Sequence, residues 1–464
     1  MRLNELLSKI PPVKQVPQAR GQIHQNLASS AITMVVLDDD PTGTQTVHDV
    51  PVLMSWTVDK LTSVMAEGER VIYLSTNSRS LTPEKAIELG EQIGRNLKQA
   101  GDKAGRTILP VSRSDSTLRG HYPCEVDALL RGMSYEPDAV ILAPAFFEGG
   151  RYTVDDVHYV DQGDCVVPAH ETEFARDANF GYQHSNLKDW VEEKTGGRIR
   201  SDEVRSISLN LIREGGIDAV AAELMRAEHG VPVVLNAACY HDLDIFSLAM
   251  IQAEAAGKQF VMRSAASIVK SRGGIEDRPL LTAEQLGVHG KPGLVVVGSY
   301  VAKTTRQLEQ LLGNDQVEGV ELGVAGLLQS GREATIECTA AAVDAIIQCG
   351  KTPVVYTSRE TELTRRRDFL AIGESIMTGL CEVVARIKAR PDFVVAKGGI
   401  TSYEVARQGL GMQDACVMGQ IIKGVPVWEM GAGSKWKDIP YVVYPGNVGD
   451  DRALHDVVLK LQQS

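Results

Sequence analysis

The feature that most constrains this chain is a short apolar run, Met34-Val35-Val36-Leu37. It stops on Asp38-Asp39-Asp40 and continues as Pro41-Thr42-Gly43-Thr44. A β-branched run of this length reads as a buried strand. In an open α/β sheet, ligands bind beyond the C-terminal ends of strands, which is where the three carboxylates fall. Adjacent carboxylates repel one another, so a metal, a proton, a basic partner or a polar substrate has to offset the cost. The plainer alternative is a solvated acidic turn before Pro41.

The same grammar recurs along the chain. Residues 1–30 are polar, with Pro11, Pro12 and Pro17, and read as a short helix followed by a surface arm. Val71-Ile72-Tyr73-Leu74-Ser75 is the next strand and ends in Thr76-Asn77-Ser78-Arg79-Ser80. Thr82 caps a helix that has Pro83 at its first position, a buried stripe of Ala86, Leu89, Ile93 and Leu97, and Gly101 as its stop. Thr107-Ile108-Leu109-Pro110-Val111 runs into Ser112-Arg113-Ser114-Asp115-Ser116-Thr117-Leu118-Arg119-Gly120, and Ala139-Val140-Ile141-Leu142-Ala143 runs into Pro144-Ala145-Phe146. Several strand ends therefore carry polar, chemically able residues, the layout of a site at one edge of a parallel sheet. Residues 148–197 read as an irregular charged excursion, and such excursions are usually functional. Strands at 204–209, 233–236 and 259–262 follow, with a helix at 242–256. A composition break at 280–292 marks a domain boundary. Beyond it a second α/β series has strands at 293–298, 354–357, 393–396 and 441–444, and a long helix at about 362–388.

Length and charge narrow the function. A chain of 464 residues holds two or three domains and needs no disulfide or metal staple. The net charge of −12 argues against nucleic acid or an anionic membrane as a partner, though not against a small anion met by local arginines. Cys124, Cys165, Cys239, Cys338, Cys349, Cys381 and Cys416 form no CxxC pair and read as reduced thiols. Residues 1–15 lack the apolar core of a secretory signal, and no run is long enough to span a membrane, so a cytoplasmic location is expected. His48, His121, His158, His170 and His184 show no metal-ligand spacing, and metal ligands stay unassigned. The oligomeric state is open, a homodimer included.

Two constellations carry chemistry. Arg113 and Arg119 flank Asp115-Ser116-Thr117. Two guanidiniums with hydroxyls suit a carboxylate ligand, against the alternative of a surface ion-pair network. Arg263, at the end of a strand, is a further cation. In the second half, Lys397-Gly398-Gly399-Ile400-Thr401-Ser402 reads as a strand end, a glycine pair and a capped helix, a form that admits phosphate. Tyr444-Pro445-Gly446-Asn447-Val448-Gly449-Asp450 and Gly298-Ser299-Tyr300 add two more open loops. Each alone is a commonplace αβ turn, but together at one sheet end they indicate a nucleotide site. Neither GxxxxGK[ST] nor a GxGxxG after a first strand is present.

Asp38-x-Asp40-x-Thr42 also matches the D-x-D-x-T nucleophile motif of haloacid-dehalogenase phosphatases, with Lys397 and Asp450-Asp451 as candidate partners. Against it, that acidic pair lies some four hundred residues away, and Pro41-Thr42-Gly43 breaks the turn that usually follows. A wider set of residues resembles the four-carbon acid sugar kinase family. Asp39-Asp40-Pro41-Thr42-Gly43 resembles its DDxTG element, and Asp115-Ser116-Thr117-Leu118-Arg119-Gly120 its DSTLRG element. Ala143-Pro144-Ala145-Phe146 with Gly150-Arg151, and Glu171-Thr172-Glu173-Phe174, resemble two more. Gly298-Ser299, Gly398-Gly399-Ile400-Thr401 and Gly446-Asn447-Val448-Gly449 resemble its nucleotide loops. The likeness runs from about residue 33 to 455.

The resemblance implies two α/β domains, each with a mainly parallel sheet flanked by helices. Residues 31–285 would bind the sugar acid and 286–464 the nucleotide, with 1–30 as an arm and the reaction in the cleft between domains. It implies ATP and Mg²⁺, and phosphorylation of the terminal hydroxyl of threonate, erythronate or a 3-oxo-tetronate. Carried over by position, Asp40, or else Asp39, is the catalytic base. Asp38, Thr42, Gly43, Arg113, Asp115, Ser116, Arg119 and Arg263 would hold the acid. Ser299, Gly398, Gly399, Ile400, Thr401, Gly446, Asn447 and Gly449 would hold ATP. Two departures, Ser112-Arg113 in place of lysines and Pro41 with Gly43-Thr44-Gln45 in place of an aromatic and Gly-Ala, leave room for a branched or larger acid. A phosphatase using Asp38 and Asp40, or a non-catalytic sugar-acid or nucleotide sensor, are the alternatives.

Overall fold

The computed structural model describes residues 1–299, 301–328, 331–358 and 369–463. Tyr300, and the start of the helix expected at 362–388, fall outside them. The chain divides into two compact units. The first is Met1–Val47 with Ser55–Asp277, and the second is His48–Met54 with Arg278–Ser464.

In chain order the strands of the first half are β1 Ile32–Asp38, β2 Val50–Leu53, β3 Val71–Ser75, β4 Thr107–Arg113 and β5 Ala139–Ala143. Then come β6 Arg151–Val154, β7 Val157–Asp161, β8 Val166–Pro168, β9 Arg205–Ile207, β10 Val231–Leu235 and β11 Phe260–Ser264. The first unit's sheet has the order β3-β1-β4-β11-β5-β10-β9, and every neighbouring pair is parallel. Parallel strands covered on both faces need continuous apolar runs, and β3 and β11 are buried at every position. From β1 the chain goes to β3 on one side and then to β4 on the other. The C-terminal end of β1 is thus a topological switch point, with Asp38 in register with Ser75 and Arg113.

Three details depart from the sequence reading. The helix that Thr82 and Pro83 begin runs Pro83–Ala104, through Gly101, and ends on Gly105 at φ 64°. Gly101 is there for packing, because a Cβ would press on the Arg106 carbonyl. The 148–197 excursion is more ordered than expected. Strands β6, β7 and β8 form a small antiparallel sheet, turned at Asp155 and Asp156, which both take positive φ. The expected arm at 1–30 holds a helix, Ala19–Ser29, with Ile23 and Leu27 buried.

The second unit contains β12 Leu294–Val297, β13 Val317–Leu322, β14 Thr352–Thr357, β15 Val394–Lys397, β16 Asp414–Ile422, β17 Val425–Met430 and β18 Pro440–Tyr444. Strands β13-β14-β12-β15-β18 are parallel, and β17, β16 and β2 extend them antiparallel. Here β12 is the switch point, so Gly298 and Gly398 follow neighbouring strand ends. The described part of the long helix is Phe369–Arg386.

Candidate active site

At the β1 end, Asp38, Asp39 and Asp40 occupy three different environments. Asp38 is sealed, its side chain 1% exposed and 3.1 Å from Arg113 Nη1. Burial, only partly offset by Arg113, together with the Asp39 and Asp40 charges, pushes its carboxyl up to about 7. Its Oδ2 has no hydrogen-bond partner. Gly43 packs directly on this carboxylate, where any Cβ would collide with it. Asp39 accepts from Ser114 Oγ at 2.6 Å and from Arg79 Nη2 at 2.9 Å. Asp40 caps the 3-10 turn Pro41–Thr44, accepting from Thr42 N at 2.8 Å and Thr42 Oγ1 at 2.6 Å. Its side chain stays 26% exposed. Burial works against its ionisation, but Arg79 and the Thr42 hydrogen bonds outweigh that and hold the carboxyl below its usual range.

Arg79 is the residue the motif reading did not single out for the site. It follows β3 and reaches Asp39 at 2.9 Å, Asp40 at 3.0 Å and Asp115 at 3.6 Å. Burial disfavours its charge, yet those carboxylates raise its pKa. Nothing in its sequence spacing marks it; only the parallel pairing of β3 with β1 brings it to the acidic cluster.

The loop after β4 is suspended by its carbonyls. Arg263 Nη2 donates to Arg119 O at 3.0 Å and Nη1 to Asp115 O at 3.5 Å. His158 Nε2 meets Ser116 O at 2.7 Å, and Tyr182 Oη donates to Thr117 O at 2.8 Å. Burial holds His158 down at about 4, so this imidazole is neutral. With the carbonyls turned to these groups, the Asp115 carboxylate is left to Arg119 Nε at 2.8 Å and to Arg79. Arg79 and Arg119, together with Thr117, outweigh burial and hold that carboxyl far below the usual range. Two residues expected to hold the acid already have partners within the chain. Arg263 is 2% exposed and supports the loop from within, and Arg113 is spent on Asp38. Ser116 is buried, and its carbonyl anchors the loop. Thr42 serves Asp40 directly.

In the second unit the three glycine loops meet. Thr304 Oγ1 lies 3.3 Å from both Ser299 Oγ and Gly446 O, tying the β12 loop to the β18 loop. Lys397 Nζ donates to Pro445 O at 2.7 Å and Gly446 O at 3.2 Å, and Lys303 Nζ to Asn447 O at 3.3 Å. Burial, with Lys303 nearby, lowers Lys397 to about 7. Gly398 sits at φ 118°, and a Cβ there would press on Ser299 and Thr401. Gly298 is equally tight against Thr401 Oγ1. Gly449 has φ 80°. Gly399 begins the helical turn Gly399–Glu404, whose first amides have no intrahelical acceptor. Thr401 is 2% exposed, whereas Ile400 is 54% exposed beside it. Close backbone approach, amide donors and lysines suit a phosphate-bearing ligand.

The D-x-D-x-T alternative fares poorly on this geometry. An attacking Asp38 would need an open carboxylate oxygen, and it is buried against Arg113 and Gly43. Asp450 and Asp451 belong to the other unit, where Asp451 pairs with Arg306 at 3.0 Å. Among the described residues no group of three or more His, Cys, Asp or Glu side chains is arranged to hold a metal, and no helix is long and apolar enough to cross a membrane.

Comparison with known proteins finds two domain models along the chain. A sugar-binding N-terminal domain model matches residues 34–272, and a nucleotide-binding C-terminal domain model matches 294–454. The chain is 22% identical over 451 residues to a D-threonate kinase of Salmonella typhimurium, covering 93% of this chain and 98% of the relative. Over 240 residues it is 30% identical to a D-erythronate kinase of Heliobacterium modesticaldum, 52% of this chain and 49% of that one. The solved structure of a Salmonella typhimurium LT2 protein provisionally described as a tRNA synthase shares the fold, with a TM-score of 0.68 at 17% identity, covering 94% of this chain and 99% of that one. With both domain models matched in order and kinases of two short sugar acids among its relatives, this chain belongs to the four-carbon acid sugar kinase family.

Proposed function

We propose that the protein is a MgATP-dependent kinase that phosphorylates the terminal hydroxyl of a short sugar acid or 3-oxo sugar acid. The observation that carries this reading is the state of the acidic triplet. Asp38 and Asp39 are sealed by partners, while Asp40 keeps an exposed edge and is held ionised by Arg79 and Thr42. A carboxylate poised in this way can orient a hydroxyl and accept its proton as the phosphoryl group transfers. It need not be strongly basic, because in a loose transition state the hydroxyl proton is lost late.

Asp115 and Arg119, fixed by the suspended loop, would hold the acid's hydroxyls and carboxylate. Ser299, Gly398, Gly399, Thr401, Gly446 and Gly449 would cradle the ATP phosphates. The fit is supported by the two glycines that tolerate no Cβ beside Ser299 and Thr401. Mg²⁺ would travel with the nucleotide, since it keeps several waters and takes few protein ligands. Because acid and nucleotide are assigned to different units, catalysis would require the units to bring them together, a step that also excludes water.

The test is ADP release with MgATP against D-threonate, D-erythronate, their 3-oxo forms and branched five-carbon analogues. Turnover of at least one acid, lost in Asp40→Ala, supports the kinase. Phosphate release from phosphorylated acids without ADP formation would instead favour a phosphatase, and binding without turnover a sensor.

A further inference from the structure

The arginines at the C-terminal edge of the first unit's sheet are not equivalent. Arg79, Arg113, Arg119 and Arg263 each face a carboxylate: Asp39, Asp38, Asp115 and, at 3.6 Å, Glu125. Arg151 is different. Among the described residues it has no carboxylate within ion-pair distance. Its Nη1 donates to the Gly149 carbonyl, and its Nε, like those of Arg79, Arg113 and Arg263, is buried with no hydrogen-bond partner. The side chain is half-buried, and with no carboxylate in direct contact its charge is met only at a distance, by Asp115 and Asp161.

Its backbone is tied to the end of β5. Arg151 N donates to Phe146 O at 2.8 Å, and Phe146 N to Arg151 O at 3.1 Å. Phe146 follows the end of β5 and packs on Ala265 and Ala266 just past β11. The Arg151 backbone is therefore held at the same sheet edge as the Asp115–Arg119 loop. Arg151 and Arg119 also contact the same aromatic ring, their guanidinium carbons lying 5.8 Å and 5.1 Å from the Phe174 ring centroid. Burial lowers the Arg151 pKa, with Asp115 attracting and Arg119 opposing its charge. Arg119 already pairs with Asp115 at 2.8 Å and Asp177 at 3.4 Å, so an incoming anion would relieve Arg151 above all, with Arg119 as the second arm.

We propose that Arg151, paired with Arg119 on the Phe174 ring, is the carboxylate clamp that makes this site select an acid over an uncharged polyol. The inference rests on the sugar-acid kinase reading and adds a direction to it. The acid end of the substrate lies at Arg151 and Arg119, and the hydroxyl end at Asp40 and Arg79. It also joins the Phe146–Arg151 and Glu171–Phe174 motifs in one function, since the first anchors the guanidinium and the second supplies its stacking face.

The test compares each acid with its own carboxamide, which keeps the stereochemistry and removes the charge. Wild type, Arg151→Gln and Arg151→Lys are assayed for kcat and KM, and binding of D-threonate and D-erythronate is measured by calorimetry without nucleotide. We expect Arg151→Gln to raise KM for the acid about 10- to 100-fold, with kcat for the acid and kcat/KM for the carboxamide little changed. Arg151→Lys should recover part of the acid preference. Equal loss on acid and carboxamide, or an acid preference that survives Arg151→Gln, overturns the proposal. Calorimetry separates the two readings. Acid binding that depends on Arg151 in a chain without turnover keeps the clamp and removes the kinase. A wild-type chain that binds neither acid removes the clamp.

Discussion

Three consecutive carboxylates serve three purposes because their neighbours differ within a few ångströms. Asp38 is a buried partner of Arg113 and a floor for Gly43, Asp39 is locked between Ser114 and Arg79, and Asp40 keeps one exposed edge. Asp40→Asn should lower kcat about 10²- to 10⁴-fold, the range for loss of a general base, with KM for the acid nearly unchanged. A steady-state assay at saturating MgATP reads this directly. Asp38 gives a pH signature. Its carboxyl titrates near 7 when folded and near 4 when unfolded, so between those values the folded chain keeps a proton that the unfolded chain has released. Its contribution to stability is therefore greatest below about pH 4 and is lost as pH rises toward 7. The Tm of wild type minus that of Asp38→Asn should fall by a few degrees from pH 5 to pH 8. A pH-independent difference would show that Asp38 is ionised throughout. The carboxylates were legible from sequence, because a strand that stops on three of them needs an explanation. Arg79, which balances them, was not, because its role depends on which strand lies beside β1.

At the scale of elements, the loops work because small residues admit close approach. Gly43→Ala would drive a methyl into the Asp38 carboxylate, and Gly398→Ala would strain a residue at φ 118° while pressing on Ser299 and Thr401. Backbone strain of this kind costs about 1–3 kcal/mol. Gly398→Ala should accordingly raise KM for ATP about 10-fold or more while calorimetric affinity for the acid stays within about 2-fold. A parallel loss of acid binding would point to general unfolding instead. The β6–β7 hairpin was visible in principle. Val154-Asp155-Asp156-Val157 places two turn residues between two strand runs, but Asp-Asp is a weaker hairpin signal than Asn-Gly. Gly101 misled for the opposite reason. A glycine late in a helix usually ends it, and only the packing against Arg106 shows why this one does not.

At the scale of the whole molecule, the chain passes between its units three times, after Val47, after Met54 and after Asp277. Strand β2 is the consequence, pairing antiparallel with β16 although more than three hundred residues separate them. A fragment beginning at Arg278 would lack β2 and expose the β16 edge to water. We expect that fragment alone to self-associate in size-exclusion chromatography, and to become monodisperse when residues 48–54 are fused to it, since an uncovered edge strand templates pairing. A fragment that is already monodisperse would mean that β2 is dispensable to the second unit.

What the sequence determined by itself was the local grammar: β-branched runs that end on chemistry, caps and glycines at the turns, and the ordered motifs that carry the family. These are short-range facts, fixed by side-chain sterics and by the periodicity of strand and helix. Only the tertiary structure decided which cation serves which anion. Parallel strands bring together loops tens to hundreds of residues apart, and burial then makes each pairing consequential. That is how Arg113 and Arg263, attractive as ligands in sequence, came to pair with Asp38 and with loop carbonyls, and how Arg79, unremarked as a site residue, came to face the acids.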